Sequence, residues 1–169
     1  MGKRMAERGI GLVFGGSELG MMGAVAKGVL DAGGEVIGVI PGALARREVA
    51  YQNLPDLRVV GTMHERKALM EELSDAFVAL PGGLGTLDEL FEILTWAQLG
   101  IHTKPCGILN VDGFFDPLLQ YLDATVGERF IRPEHRDMIQ LATGVEEVLD
   151  LLSNYEPPTT LKWVDGPLP

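Results

Sequence analysis

The stretch Ala79-Leu80-Pro81-Gly82-Gly83-Leu84-Gly85-Thr86-Leu87-Asp88-Glu89 runs from an apolar strand through three glycines into an amphipathic helix. Units of this kind belong to α/β domains, whose ligands bind where strand ends pass into helices. The glycines let backbone N–H groups reach an oxyanion with no side chain in the way, and the helix start adds a partial charge of about +0.5. Gly82, Gly83, Gly85 and Thr86 are the candidate phosphate cradle, and Asp88 is counted with them. Thr86 and Glu89 also match the T-x-x-E capping box, in which each side chain satisfies an N–H of the first turn. On this ground capping and function are equal readings of Glu89. Glu92 lies one turn further on the same face, where a carboxylate alone is more often solvated surface.

Outward from this unit, short β-like runs alternate with helix-length stretches. Strands are expected at Gly11 to Phe14, Glu35 to Ile40, Leu57 to Val60, Ala76 to Leu80, Cys106 to Asn110 and Met138 to Leu141. Apolar spacing of three and four predicts helices at Met21 to Ala32, Met63 to Leu73, Thr86 to Gly100, Phe115 to Val126 and Val145 to Leu152. The pattern predicts a Rossmann-like, doubly wound parallel sheet in a three-layer α/β/α arrangement, one domain over residues 1–154. Four prolines from Pro157 onward make residues 155–169 an expected irregular tail. Met1 to Arg8 reads as the last turns of a helix feeding the strand at Gly11, whereas doubly wound domains usually begin with a strand.

Composition narrows the function. A chain of 169 residues with 46% hydrophobic and 22% charged residues lies far from the regime of disorder. A net charge of −10 repels phosphate polymers, so a broad nucleic-acid-binding face is not expected. A small anion would need a local positive site. No apolar run approaches the roughly 20 residues that cross a bilayer, and Met1 to Met5 lacks the apolar core of a signal peptide, so a cytoplasmic protein without membrane partners is expected. The single cysteine, Cys106, excludes a disulfide framework and sits in an apolar run that favours burial over reactivity.

A second glycine loop, Phe14-Gly15-Gly16-Ser17-Glu18-Leu19-Gly20, could cradle another part of the same ligand. It fits neither G-x-G-x-x-G nor the nucleophile elbow G-x-S-x-G. Met63-His64-Glu65-Arg66-Lys67 opens the helix that precedes the phosphate-loop strand. Arg66 suits phosphate or a sugar hydroxyl through its planar fork, against an exposed helical charge pair; Lys67 stands evenly between the two. His64, His102 and His135 lack ligand spacing and read as surface or structural residues, so no metal site is expected.

These residues resemble the LONELY GUY type of cytokinin riboside 5′-monophosphate phosphoribohydrolases, long mislabelled as lysine decarboxylases. Pro81-Gly82-Gly83-Leu84-Gly85-Thr86-Leu87-Asp88-Glu89 fits the family pattern P-G-G-x-G-T-x-x-E, and Met63-His64-x-Arg66-Lys67 fits its upstream partner. Gly15-Gly16 with Leu19-Gly20-x-Met22-Gly23 looks like its first glycine loop. The resemblance implies a dimeric hydrolase that cleaves the N-glycosidic bond of a purine nucleoside 5′-monophosphate without metal or redox cofactor. It implies Arg66 and Glu89 as the essential pair, with Glu48 and Thr95 as further substrate contacts. It also implies a strand, a loop and most of a helix ahead of the position of Met1, so the family's first strand is expected to be lacking here.

A rival class is a non-catalytic nucleotide-binding protein of the same fold. Lysine decarboxylation is a poor third, because no lysine sits in a recognisable Schiff-base context. The face of Trp96-Ala97-Gln98-Leu99 offers apolar surface for a homodimer, and a buried core helix explains the same residues.

Overall fold

The computed structural model describes residues 1–45, 50–51 and 53–158. The chain divides into two compact units, Met1–Ser74 and Asp75–Pro169. Each is α/β with a parallel sheet.

In the first unit the order is α1 (Gly2–Glu7), β1 (Leu12–Phe14), α2 (Gly20–Leu30), β2 (Val36–Pro41), α3 (Gly42–Leu44), β3 (Asp56–Val60) and α4 (Met63–Leu73). The strands lie β1-β2-β3, with Leu12 beside Val36 and Ile37 beside Asp56. The continuous apolar run of β2 is buried at every position except Ile37, as the central strand of a sheet covered by helices must be. β3 is an edge and leaves Val59 exposed.

The second unit runs β4 (Phe77–Ala79), α5 (Leu84–Gln98), β5 (Cys106–Leu109), a 3-10 turn at Val111–Gly113, α6 (Asp116–Gly127), α7 (Pro133–Arg136), β6 (Ile139–Ala142) and α8 (Val145–Ser153). Its strands lie β4-β5-β6, all parallel. The central strand β5 is buried throughout. Leu90 of α5 and Leu119 and Leu122 of α6 join Ala79, Ile108, Phe115 and Ile139 in one hydrophobic cluster, and α8 packs on β5 and β6.

All six expected strands and all five expected long helices are present with bounds within two residues of expectation. Three short elements carry no readable period and were not foreseen: α3, the 3-10 turn and α7. Tyr155–Pro158 has no regular structure, as expected of the tail, and its remaining residues lie outside the described ones. Among the described residues no helix is long and apolar enough to cross a membrane.

Candidate functional site

In the second unit the phosphate-loop candidate leaves the carboxyl end of β4 and becomes helical earlier than its side chains suggest. Gly83 is the N-cap of α5, with no side-chain cap bond, and Leu84 is the first helical residue. Thr86 is therefore the third residue of the helix, so the T-x-x-E capping box expected at Thr86 and Glu89 is not formed. The glycines turn the chain into the helix before any side chain able to cap it. Thr86 instead folds back on the loop, since a methyl at Gly82 would lie 2.2 Å from its Oγ1. Beyond the adjoining residues and the helix's own backbone, nothing lies within 4 Å of where a Cβ would sit at Gly83 or Gly85, and both residues are exposed. The first-turn N–H groups of a helix have no intrahelical acceptor and carry the positive end of its dipole. An exposed glycine-lined start of a 15-residue helix is thus open to an anion.

Along α5, Leu90, Ile93 and Ala97 face the core. Glu89, Glu92 and Trp96 lie on one half-buried flank, at spacings of three, four and seven. Asp88 and Thr95 are exposed, and the Thr95 hydroxyl donates to the Phe91 carbonyl at 2.6 Å. Helical geometry brings Glu89 and Glu92 together, and Glu92 is also four residues from Asp88 and three from Thr95, so these side chains form one continuous strip from the half-buried flank to the exposed face.

In the first unit Arg66 is buried, with 6% of its surface exposed, which removes the reading as an exposed charge pair. Its Nε donates to the Val39 carbonyl of β2 at 3.2 Å. A Cβ at Gly15 would lie 2.0 Å from Arg66 Nη2 and 2.9 Å from Met22 Sδ, so Gly15 supplies the space that the guanidinium fills. Gly16 turns beside it with φ +73°, and its carbonyl accepts from the Tyr51 N–H at 2.9 Å. Lys67, the next residue of α4, is half-buried. Glu48 lies outside the described residues.

The seat of Arg66 depends on a cap missed in the sequence. Thr62 is the N-cap of α4: its Oγ1 accepts from the Glu65 N–H at 3.1 Å, and Glu65 Oε2 accepts from the Gly61 N–H at 2.7 Å. Thr62-x-x-Glu65 carries the signature assigned to Thr86-x-x-Glu89, and only the earlier copy caps a helix.

Other candidates resolve as structural. His64 is exposed. The buried His102 accepts at Nδ1 from the Lys104 N–H at 3.1 Å, which leaves Nε2 to donate to the Ile93 carbonyl at 3.0 Å. His135 pairs with the Gln98 amide at 2.8 Å. Cys106 is buried, and loss of hydration pushes its thiol up to about 12, which suppresses reactivity. A cavity of about 820 Å³ in the second unit has Glu134, Asp137, Glu147, Asp150 and Glu156 in its lining, the wrong charge for a phosphate.

A parallel α/β chain with an open glycine loop at a strand exit and a carboxylate-bearing helix after it has the outline of a nucleotide-type binding protein. Comparison with known proteins supplies the family. A family model described as "Possible lysine decarboxylase" matches residues 22–152. The cytokinin riboside 5′-monophosphate phosphoribohydrolase LOG of Oryza sativa subsp. japonica is 52% identical over 157 residues, 93% of this chain and 65% of the relative. LOG3 of Arabidopsis thaliana, of the same name, is 48% identical over 157 residues, covering 93% of this chain and 73% of the relative. The chain belongs to this LOG family. It spans slightly less than two thirds of the length of several of its rice relatives. Among solved structures, the molybdenum cofactor binding protein of Rippkaea orientalis superposes with a TM-score of 0.68 at 25% identity, covering 90% of this chain and 81% of the other. The molybdenum cofactor carrier protein of Chlamydomonas reinhardtii does so with a TM-score of 0.64 at 26% identity and the same coverage.

Proposed function

We propose that this chain hydrolyses the N-glycosidic bond of a purine nucleoside 5′-monophosphate, either AMP or an N6-prenylated, cytokinin-type AMP, to free base and ribose 5-phosphate. The observation that carries the reading is 52% identity across 157 residues to a phosphoribohydrolase of that name. The chemistry suits the residues. Departure of the base leaves positive charge on C1′ and the ring oxygen of ribose, which a carboxylate beside the sugar stabilises while it orients the attacking water. Glu89 takes that role, helped by Glu92. Gly82, Gly83, Gly85 and Thr86 hold the 5′-phosphate, and binding energy from that remote group is used at the reacting bond. Arg66 orients phosphate or ribose, with Gly15, Gly16, Glu48, Lys67, Asp88 and Thr95 as further contacts. Residues 1–154 act as the hydrolase domain, in a cytoplasmic homodimer.

The test is chromatographic detection of adenine and ribose 5-phosphate after incubation with AMP. Glu89→Gln and Arg66→Ala are each expected to lower base release by about 100-fold or more. Base release that survives Glu89→Gln would sink the hydrolytic role of that carboxylate.

A second reading is a nucleotide-binding or carrier protein without turnover. It is favoured by the likeness to two solved proteins named for binding or carrying molybdenum cofactor. It predicts that AMP binds and that no base is released.

A further inference from the structure

Asn110 is the first residue past β5 and is only 6% exposed, unusual for a side chain that prefers water. Its Nδ2 donates to Asp116 Oδ1 at 2.7 Å, and its Oδ1 accepts from the Phe115 N–H at 2.7 Å. Its backbone N–H donates to the Ala142 carbonyl at the end of β6, also at 2.7 Å. Asn110 thus ties the exits of two strands to the start of α6, the side-chain amide holding α6 and the backbone N–H holding β6. Phe115, 2% exposed, belongs to the same hydrophobic cluster as Ala79 and Leu90, and Leu87 packs against that cluster. Ala79 is the last residue of β4, while Leu87 and Leu90 lie in the first turns of α5. The glycine loop is the segment between them, so the cluster that receives Phe115 holds both its ends.

We propose that Asn110 is a positioning residue for the phosphate loop. Through Phe115 and Asp116 it fixes the apolar seat of Ala79, Leu87 and Leu90, and with it the spacing between strand end and helix start that a bound 5′-phosphate requires. The proposal rests on the phosphate-binding role given to that loop above. A residue that merely capped α6 would change stability and leave phosphate affinity alone.

The test uses the full chain. Calorimetric binding of ribose 5-phosphate is measured beside KM and kcat for AMP and the thermal unfolding midpoint. Asn110→Asp keeps the shape and the acceptor for Phe115 but sets a carboxylate against Asp116. It is expected to weaken ribose 5-phosphate binding about tenfold, with KM rising in step and kcat changing much less. The double variant Asn110→Asp with Asp116→Asn restores a donor–acceptor pair in the reverse sense and is expected to recover most of the affinity. Asp116→Ala, at an exposed position, removes one bond of the amide and is expected to weaken binding about threefold. A folded Asn110→Asp protein with wild-type affinity and KM overturns the proposal, as does a folded double variant that stays weak. Should Asn110→Asp fail to fold, unchanged affinity in Asp116→Ala does the same. Wild-type protein that binds no ribose 5-phosphate also overturns it. Binding that follows the expected order without any base release from AMP leaves this proposal standing and breaks the hydrolase reading instead.

Discussion

Two glycine loops leave strand ends and enter helices, and glycine serves a different purpose in each. At Gly15 the missing side chain makes room for the protein itself, because Arg66 and Met22 fill that space and the residue is buried. At Gly83 and Gly85 it makes room for nothing in the chain, and both residues face solvent at the start of α5. The first loop is a socket for the Arg66 guanidinium, and the second leaves the positive end of a helix open to solvent. A glycine motif in sequence does not distinguish the two; what stands opposite the absent Cβ does.

The contrast is tested most severely by Gly15→Ala. A methyl 2.0 Å from Arg66 Nη2 forces the guanidinium to move while its Nε bond to Val39 pulls it back. We expect base release to fall about 100-fold, since displacements near 1 Å carry costs of that order. Stability is expected to fall by about 1–3 kcal/mol, as in overpacked cores. Steady-state kinetics and urea unfolding read the two effects. Wild-type turnover would mean that the placement of Arg66 is not used in the reaction. Gly85→Ala should behave oppositely. It adds a methyl in open space at the second residue of α5, where alanine is the better helix former, so stability should rise by about 0.5–1 kcal/mol. KM for AMP should nonetheless rise about tenfold, because that space is where the phosphate approaches. A rise in stability with KM unchanged would remove Gly85 from the cradle.

What the sequence disclosed follows the same division. Central strands such as Val36–Pro41 and Cys106–Leu109 are apolar runs because both sheet faces are covered, and long helices such as Met63–Leu73 show their period; both are local properties. The open glycine loop was legible because glycines, strand end and helix start lie within one short stretch. The occupant of the space at Gly15 was not, because it arrives from α4, far along the chain, and pairwise packing leaves no local signature. The apolar run places Asn110 at the end of a strand, although Asn110-Val111-Asp112-Gly113 carries turn chemistry that the positive φ of Asp112 and Gly113 expresses.

The two T-x-x-E copies give the smallest test of the comparison. Thr62 accepts the Glu65 N–H and starts the helix that carries Arg66 into its socket, whereas Thr86 lies inside α5 and caps nothing. Thr62→Ala should cost about 1 kcal/mol, the usual worth of an N-cap. Thr86→Ala should cost no stability, since alanine is the better residue in a first helical turn and the cap of α5 is Gly83. Equal losses from the two substitutions in paired urea titrations would show that Thr86 does hold the start of α5, and the loop would then be a closed cap. A loss confined to Thr62→Ala would tie the internal socket to helix capping and leave the phosphate loop without a side-chain lock of its own, which is what an opening for a ligand requires.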